Sequence, residues 1–295
     1  MSGAGAFASL PELLPPLSPT LATYSAIRYL QPLREGGSLP AVVDTDGGGL
    51  FVTKFRGAGQ GAKALIAEIV VGVLARRVGL PLPELAVIDI PAAFGRSEPD
   101  SEIQEILQRS HGTNVGLRYL DGAFNFDASA AAHVVTPEFA TRLVWFDAFV
   151  TNPDRTHRNT NLLVWEGKPW LIDHGAALYA HHDWPSVNAA RTRSPFALIK
   201  DHVLLAASHV LASVDAEMHR LLDEHVLDET LAAVPDSLLM DSVHGHDFSD
   251  PASARARYVQ YLLERLSASD GFVNEATTAR EQLKRLGRPR VSSRR

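Results

Sequence analysis

The sequence predicts an α+β chain in two lobes, a small β-rich one followed by a mainly helical one. Three observations carry this. Before residue 92 short apolar runs of strand length surround one helical pattern, and after about residue 131 apolar spacing is helical. Between them, residues 93–130 mix Gly, Pro and Ser and read as a connecting segment.

In chain order, residues 1–22 read as a flexible Pro-rich arm, and the β-rich lobe spans 23–92. Ile27-Arg28-Tyr29-Leu30 and Ala41-Val42-Val43 are strand-like and flank Arg34-Glu35-Gly36-Gly37-Ser38-Leu39-Pro40, whose glycines would let backbone amides approach a phosphate. An ordinary Gly-rich hairpin has the same pattern. Asp44 to Gly49 reads as the next hairpin turn, leading into the strand Leu50-Phe51-Val52-Thr53-Lys54-Phe55. Period-2 alternation puts Lys54 on the face of Val52 and Leu50, an uncommon place for a cation. A helix then starts at Ala62, carries Glu68, keeps Leu65, Ile69, Val73 and Leu74 in its apolar stripe, and stops at Gly79. Val87 to Ile90 reads as a further strand and Glu102–Leu107 as a short helix in the connector.

The helical lobe spans 131–280. It opens with a buried helix over 137–151, in which Asp147 reads as a structural hydrogen-bonding group, and continues with helices over 196–214, 216–226 and 255–266. His181, His182 and His202 read as core or surface histidines, since no metal-ligand spacing joins them. Residues 281–295 form a basic tail, of the kind that is usually solvated.

The 295-residue chain has 45% hydrophobic residues and no apolar run of membrane length, which predicts a soluble globular protein without a membrane partner. No basic region precedes an apolar core at the N-terminus, so no signal peptide is expected and the cytoplasm is the expected compartment. The absence of Cys excludes disulfides and thiolate chemistry. A net charge of -6 argues against general nucleic-acid binding and leaves the basic tail as the segment that would suit nucleic acid or an acidic partner.

The chemistry is concentrated in Asn152-Pro153-Asp154-Arg155-Thr156-His157-Arg158-Asn159-Thr160-Asn161, which precedes the strand Leu162-Leu163-Val164, and in Leu171-Ile172-Asp173-His174-Gly175. An Asp heading such a loop can accept a proton from an attacking hydroxyl. A later Asn and a second Asp offer the hard oxygens that Mg²⁺ requires beside ATP phosphates. Asp154 and Asn159 have the spacing of a base and a metal-binding Asn, whereas Asn161 directly precedes the strand that would fix its side chain; either can be the ligand. Lys54 would grip the phosphates and Glu68 would orient it. A turn of Asp and Asn joining a helix to a hairpin is the competing reading.

A second motif, Gly57-Ala58-Gly59-Gln60-Gly61-Ala62, follows a strand and opens a helix like a dinucleotide-binding turn, which would make the chain an oxidoreductase. Lys54 fits poorly in the buried first strand of such a sheet, and Asp89 comes late for a ribose ligand.

Taken with Val52-Thr53-Lys54-Phe55, Ala67-Glu68 and Gly79-Leu80-Pro81-Leu82-Pro83, the two Asp blocks make the chain resemble the HipA-like kinases, a divergent group also similar to phosphatidylinositol kinases. The resemblance runs from about residue 25 to about residue 205. It implies a bilobal protein-kinase-like fold with ATP and Mg²⁺ in the cleft, Val87 to Ile90 as the adenine-facing strand, Lys54 on the phosphates, Asp154 as catalytic base and Asp173 as metal ligand. It also implies Ser38 as an autophosphorylation site. Protein Ser/Thr is the substrate class it implies, although a lipid or small-molecule hydroxyl suits the same residues. A non-catalytic ATP-binding regulator would keep them too. A regulatory partner protein is a further implication, for which no segment stands out. His174 departs from the aromatic that usually follows the metal-binding Asp, which argues against a switch built on that ring.

Overall fold

The computed structural model describes residues 20–33, 39–59, 61–96 and 98–286. Five strands, β1 (Ala22–Pro32), β2 (Ala41–Thr45), β3 (Gly49–Lys54), β4 (Leu85–Ile90) and β5 (Gly112–Arg118), close into a barrel in the order β1-β2-β3-β5-β4. All neighbours are antiparallel except β1 and β4, whose parallel pairing closes the ring. Gly49 ends the β2–β3 turn with φ of 77°, a conformation glycine adopts without steric cost. Ala26, Ala41, Val43, Phe51, Ala86 and Ile88 form the barrel core. The ring is tight at Gly116, where a Cβ would meet Ile88 Cγ1 at 2.8 Å.

Helix α1 (Gly61–Arg77) follows β3 and is buried on most of its circumference. It ends as the sequence predicts: Gly79 has φ of 74°, its amide bonds to Arg76, and that of Leu80 bonds to Ala75 in a Schellman pattern. The dinucleotide reading fails on topology. β3 is antiparallel to both its neighbours, β2 and β5, while β4 lies between β5 and β1, so β3, α1 and β4 make no parallel crossover unit.

The span 93–130 does more than connect. It holds α2 (Ser101–Arg109) near the expected place, but also β5, which is hydrogen-bonded to both β3 and β4. Gly112, Asn114 and Gly116 disguise that strand, because Gly and Asn are depleted in strands. Here they have other uses: the Asn114 side chain bonds the carbonyls of Ser110 and Gly112 and accepts from the Arg56 amide at 2.8 Å.

After the barrel, β6 (Phe124–Asn125), β7 (Leu162–Trp165) and β8 (Lys168–Leu171) form a three-stranded antiparallel sheet. The remainder is helical: α3 (Ala131–Val134), α4 (Pro137–Phe149), α5 (Ala189–Thr192), α6 (Ala212–Leu221), α7 (Glu224–Ala232), α8 (Asp236–Leu239), α9 (Pro251–Ser267) and α10 (Ser269–Leu286). α4 starts at the cap of Thr136 with Pro137 behind it, and its Leu143, Val144, Trp145, Phe146 and Phe149 are fully buried. Its end is held by Arg265 of α9, which donates to the carbonyls of Ala148 and Phe149, each at 2.7 Å. Trp145 packs edge-on against Phe272 of α10 with centroids 5.3 Å apart.

Several helix boundaries differ from the sequence reading. Residues 196–214 are not one helix: they hold two short 3₁₀ turns, Ala197–Asp201 and Leu205–Ala207, entered through Phe196 at φ of 57°, and then the start of α6. The expected helix over 216–226 is broken at Leu222, and Asp223 caps a new one by accepting from the Val226 amide at 2.9 Å. Residues 281–286 belong to α10 rather than to the tail. The rest of the basic tail, most of the N-terminal arm and the Gly36-Gly37-Ser38 loop lie outside the described residues. Among the described residues no helix is long and apolar enough to cross a membrane.

Candidate active site

A cleft of about 1160 Å³ separates the barrel from the β6–β8 sheet. β3 contributes Val52 and Lys54, β5 contributes Val115 and Leu117, and the chain around β7 and β8 contributes Asn159, Asn161 and Asp173. The alternation expected for β3 therefore holds, with Phe51 and Thr53 buried and Val52 and Lys54 turned to the cleft. The strand bordering the cleft toward its exit from the barrel is β5, which ends at Arg118 and is continued by Tyr119 and Leu120; Val87 to Ile90 of β4 do not line it.

Lys54 is the hub of the barrel side. Its ammonium donates to Glu68 Oε1 and to Asp173 Oδ1. The same Glu68 oxygen accepts the backbone N–H of His174 at 2.7 Å, so α1 holds both the strand lysine and the chain just past Asp173. Burial alone would weaken the charge on Lys54, but Glu68 and Asp173 outweigh it and hold its pKa above the ordinary 10.5. Burial pushes the Glu68 carboxyl up against the pull of Lys54. For Asp173, 40% exposed, burial also acts upward, but Lys54 wins and holds it below the ordinary 3.8. Gly175 lies against α1: a Cβ there would stand 3.4 Å from both Ala64 Cβ and Glu68 Oε1, an ordinary contact distance.

On the opposite side, Thr151 takes a left-handed φ of 52° and turns the chain out of α4 into the polar loop. Asn152 accepts the Asp154 N–H at 3.1 Å and donates to Asp147 at 3.1 Å. Asp154 is half-buried, and its Oδ2 accepts side-chain amides from Asn159 at 2.8 Å and from Asn161 at 3.1 Å. Among the described residues Asp154 Oδ1 has no hydrogen-bond partner, and neither do the side-chain carbonyls of the two asparagines. Asn161 is buried at φ of 46°, and Asn159 is exposed. The β7–β8 register, Leu162 opposite Leu171, brings Asn161 next to the segment that carries Asp173. A carboxylate and two free amide carbonyls are hard oxygen donors of the kind Mg²⁺ takes, so the residues present fit that ion.

Behind the loop lies a network that sequence reasoning largely missed. Arg155, fully buried, donates from Nε to Asp147 Oδ2 at 2.6 Å, from Nη1 to the Asn161 carbonyl, and from Nη2 to His174 Nδ1 at 3.3 Å. His202 donates from Nε2 to the same Asp147 oxygen at 2.9 Å while its Nδ1 accepts from Leu204. Burial would raise Asp147, yet Arg155 and His202 hold it at about 2. Burial, reinforced by Arg155, lowers His174 to about 3, and burial likewise lowers His202 despite Asp147. The available signal was a lone Asp in the apolar C-terminal half of α4, which reads correctly as a hydrogen-bonding group but does not name its partners.

The remaining histidine pair is structural in its contacts: His181 is buried against the Tyr258 hydroxyl at 3.1 Å. Among curated proteins none matches the chain. A family model described as HipA-like kinase matches residues 27–272, a span that takes in the barrel from the middle of β1 onward, the Asp154 loop, Asp173 and the helices through α9. On that match the chain belongs to the HipA-like kinase family.

Proposed function

We propose that the protein is an active, bilobal, protein-kinase-like enzyme that transfers the γ-phosphoryl group of ATP, with Mg²⁺, to a Ser or Thr hydroxyl of a protein. The observation carrying this reading is the meeting in one cleft of the Lys54–Glu68–Asp173 ion pairs and the Asp154–Asn159–Asn161 cluster. The barrel with α1 is the smaller lobe in this reading, and residues 131–280 are the larger.

Lys54, kept charged and aimed by Glu68, holds the phosphates. Mg²⁺ bound by Asp173 and by Asn161 or Asn159 would neutralise charge on the transferring group. Asp154 keeps Oδ1 free to accept the proton of the incoming hydroxyl, while the two amides on Oδ2 fix the direction in which it points. Positioning and charge do most of the work in such a reaction. Gly36, Gly37 and Ser38 would cover the phosphates, with Ser38 an autophosphorylation site; Leu33 and Pro40, which flank that loop and pair at 2.7 Å, both line the cleft. The cytoplasm, which supplies ATP and Mg²⁺, suits this chemistry.

The test is a thermal-shift titration with ATP, with and without Mg²⁺, on wild type, Lys54→Ala and Asp173→Ala, joined to transfer of radiolabelled phosphate to proteins, lipids and small alcohols. Stabilisation that needs Mg²⁺ and both residues, with label on protein Ser or Thr, is the expected result. Stabilisation without label on any acceptor would make the protein a non-catalytic ATP-binding regulator, and no response to ATP would remove the proposal.

A further inference from the structure

We infer that Arg155 is a positioning residue that clasps the two metal-binding segments together and, through Asp147, sets their place relative to α4. The inference rests on the proposed function and takes Asn161, the buried one of its two asparagines, as the metal ligand beside Asp173.

Those ligands sit at opposite ends of one hairpin, Asn161 just before β7 and Asp173 shortly after β8. Both have left-handed backbones, with φ of 46° and 55°. Non-glycine residues stay in that region only where their surroundings over-determine them. The Asn161 carbonyl is fixed twice, by the Ile172 amide at 3.2 Å and by Arg155 Nη1. The other end is reached by Arg155 Nη2 through the ring of His174, the residue after Asp173. Guanidinium only donates, so His174 Nδ1 is the acceptor and its ring proton sits on Nε2. One planar group therefore spans both segments.

The guanidinium itself has no freedom to follow them. Its Nε is held by Asp147, whose carboxylate is further fixed by His202 at 2.9 Å and Asn152 at 3.1 Å. The Arg155 carbonyl is also taken, by the Val203 amide at 3.1 Å. An ion pair serving only the core would need just the contact to Asp147, which lysine could also make. Lysine lacks the rigid fork that reaches Asn161 and His174 at the same time. The arrangement thus predicts that the Mg²⁺-dependent part of ATP binding relies on Arg155 and that the Mg²⁺-independent part does not.

The experiment compares full-length wild type, Arg155→Lys and His174→Phe by thermal shift, with ATP in EDTA and with ATP across a Mg²⁺ series, followed by phosphate transfer across the same series. Arg155→Lys should raise the half-saturating Mg²⁺ concentration roughly tenfold, the lower end of what loss of an outer-shell contact does to metal affinity. It should leave the shift with ATP in EDTA unchanged. His174→Phe should move the midpoint the same way by less, and it decides the matter if Arg155→Lys does not fold. A wild-type Mg²⁺ midpoint in the folded variants, or equal loss of ATP binding with and without Mg²⁺, would overturn the clasp while leaving the kinase proposal intact. A wild type without any Mg²⁺-dependent ATP effect would overturn both.

Discussion

Asn159 and Asp154 are joined side chain to side chain at 2.8 Å, and Asn161 reaches the same Asp154 oxygen at 3.1 Å. The carboxylate is thereby held by one oxygen and left open at the other. Asp154→Ala should lower phosphoryl transfer by about 100-fold to 10,000-fold, the usual contribution of a positioned base. ATP and Mg²⁺ should stabilise the variant about as well as wild type. Unchanged turnover in a single-turnover assay would remove Asp154 from the base role.

Lys54 neutralises Glu68, a side chain only 1% exposed. Lys54→Met leaves that carboxylate buried without a counter-charge, which should cost about 3–5 kcal/mol of stability, read as a lower urea midpoint near pH 7. Adding Glu68→Gln should recover part of the loss, because neither charge then remains. If the double variant is no more stable than the single one, the ion pair is not the source of the effect.

Acid should weaken the fold early. His174 titrates at about 3 in the folded chain and at an ordinary 6.5 when unfolded, and His181 and His202 are also lowered by burial. As pH falls below about 6.5 the unfolded chain takes up protons that the folded chain refuses, so stability drops with pH. The slope approaches about 1.4 kcal/mol per pH unit for each such group. Asp147, held at about 2 against an ordinary 3.8, contributes stability above that ordinary value and loses it only as pH falls on toward 2. Urea midpoints should stay level between about pH 8 and pH 7 and fall from about pH 6.5 down to pH 5; a series flat down to pH 5 would contradict the burial of neutral histidines.

Gly116 tests the barrel. A Cβ there would lie 2.8 Å from Ile88 Cγ1 and 3.1 Å from Phe51 Cβ, both in the barrel core. Gly116→Val should destabilise the protein by about 1–3 kcal/mol through overpacking. Wild-type stability in denaturant would mean that the barrel is looser than these contacts describe.

Much of this was legible in the sequence where the signal is local. Alternation around Lys54, the hairpin turn ending at Gly49 and the glycine stop of α1 each depend on a few adjacent residues, and each appears as read. The Asp154 loop was legible by residue type and spacing. Contacts between distant residues were not. β5 was hidden by glycines and an asparagine that serve packing and loop bonds, and nothing local announces the pairing of β1 with β4. Arg155 directly follows Asp154 in the polar loop, but its use depends on Asp147, His174 and His202 arriving from separate elements. The 3₁₀ turns after Phe196 were read as one helix because their apolar spacing is helical while their backbone is interrupted.

The parallel seam between β1 and β4 also constrains the order of assembly. β1 is the first of these strands to leave the ribosome, yet its closing register, Ala22 with Ala86 through Ser25 with Asp89, waits for a strand made much later. β5, later still, must then enter between β3 and β4. The ring can close only after Arg118, the last residue of β5, has emerged. Until then β3 and β4 present open edges that can pair with other chains, so stalled or truncated synthesis before residue 112 should yield an aggregating product rather than a half-built domain.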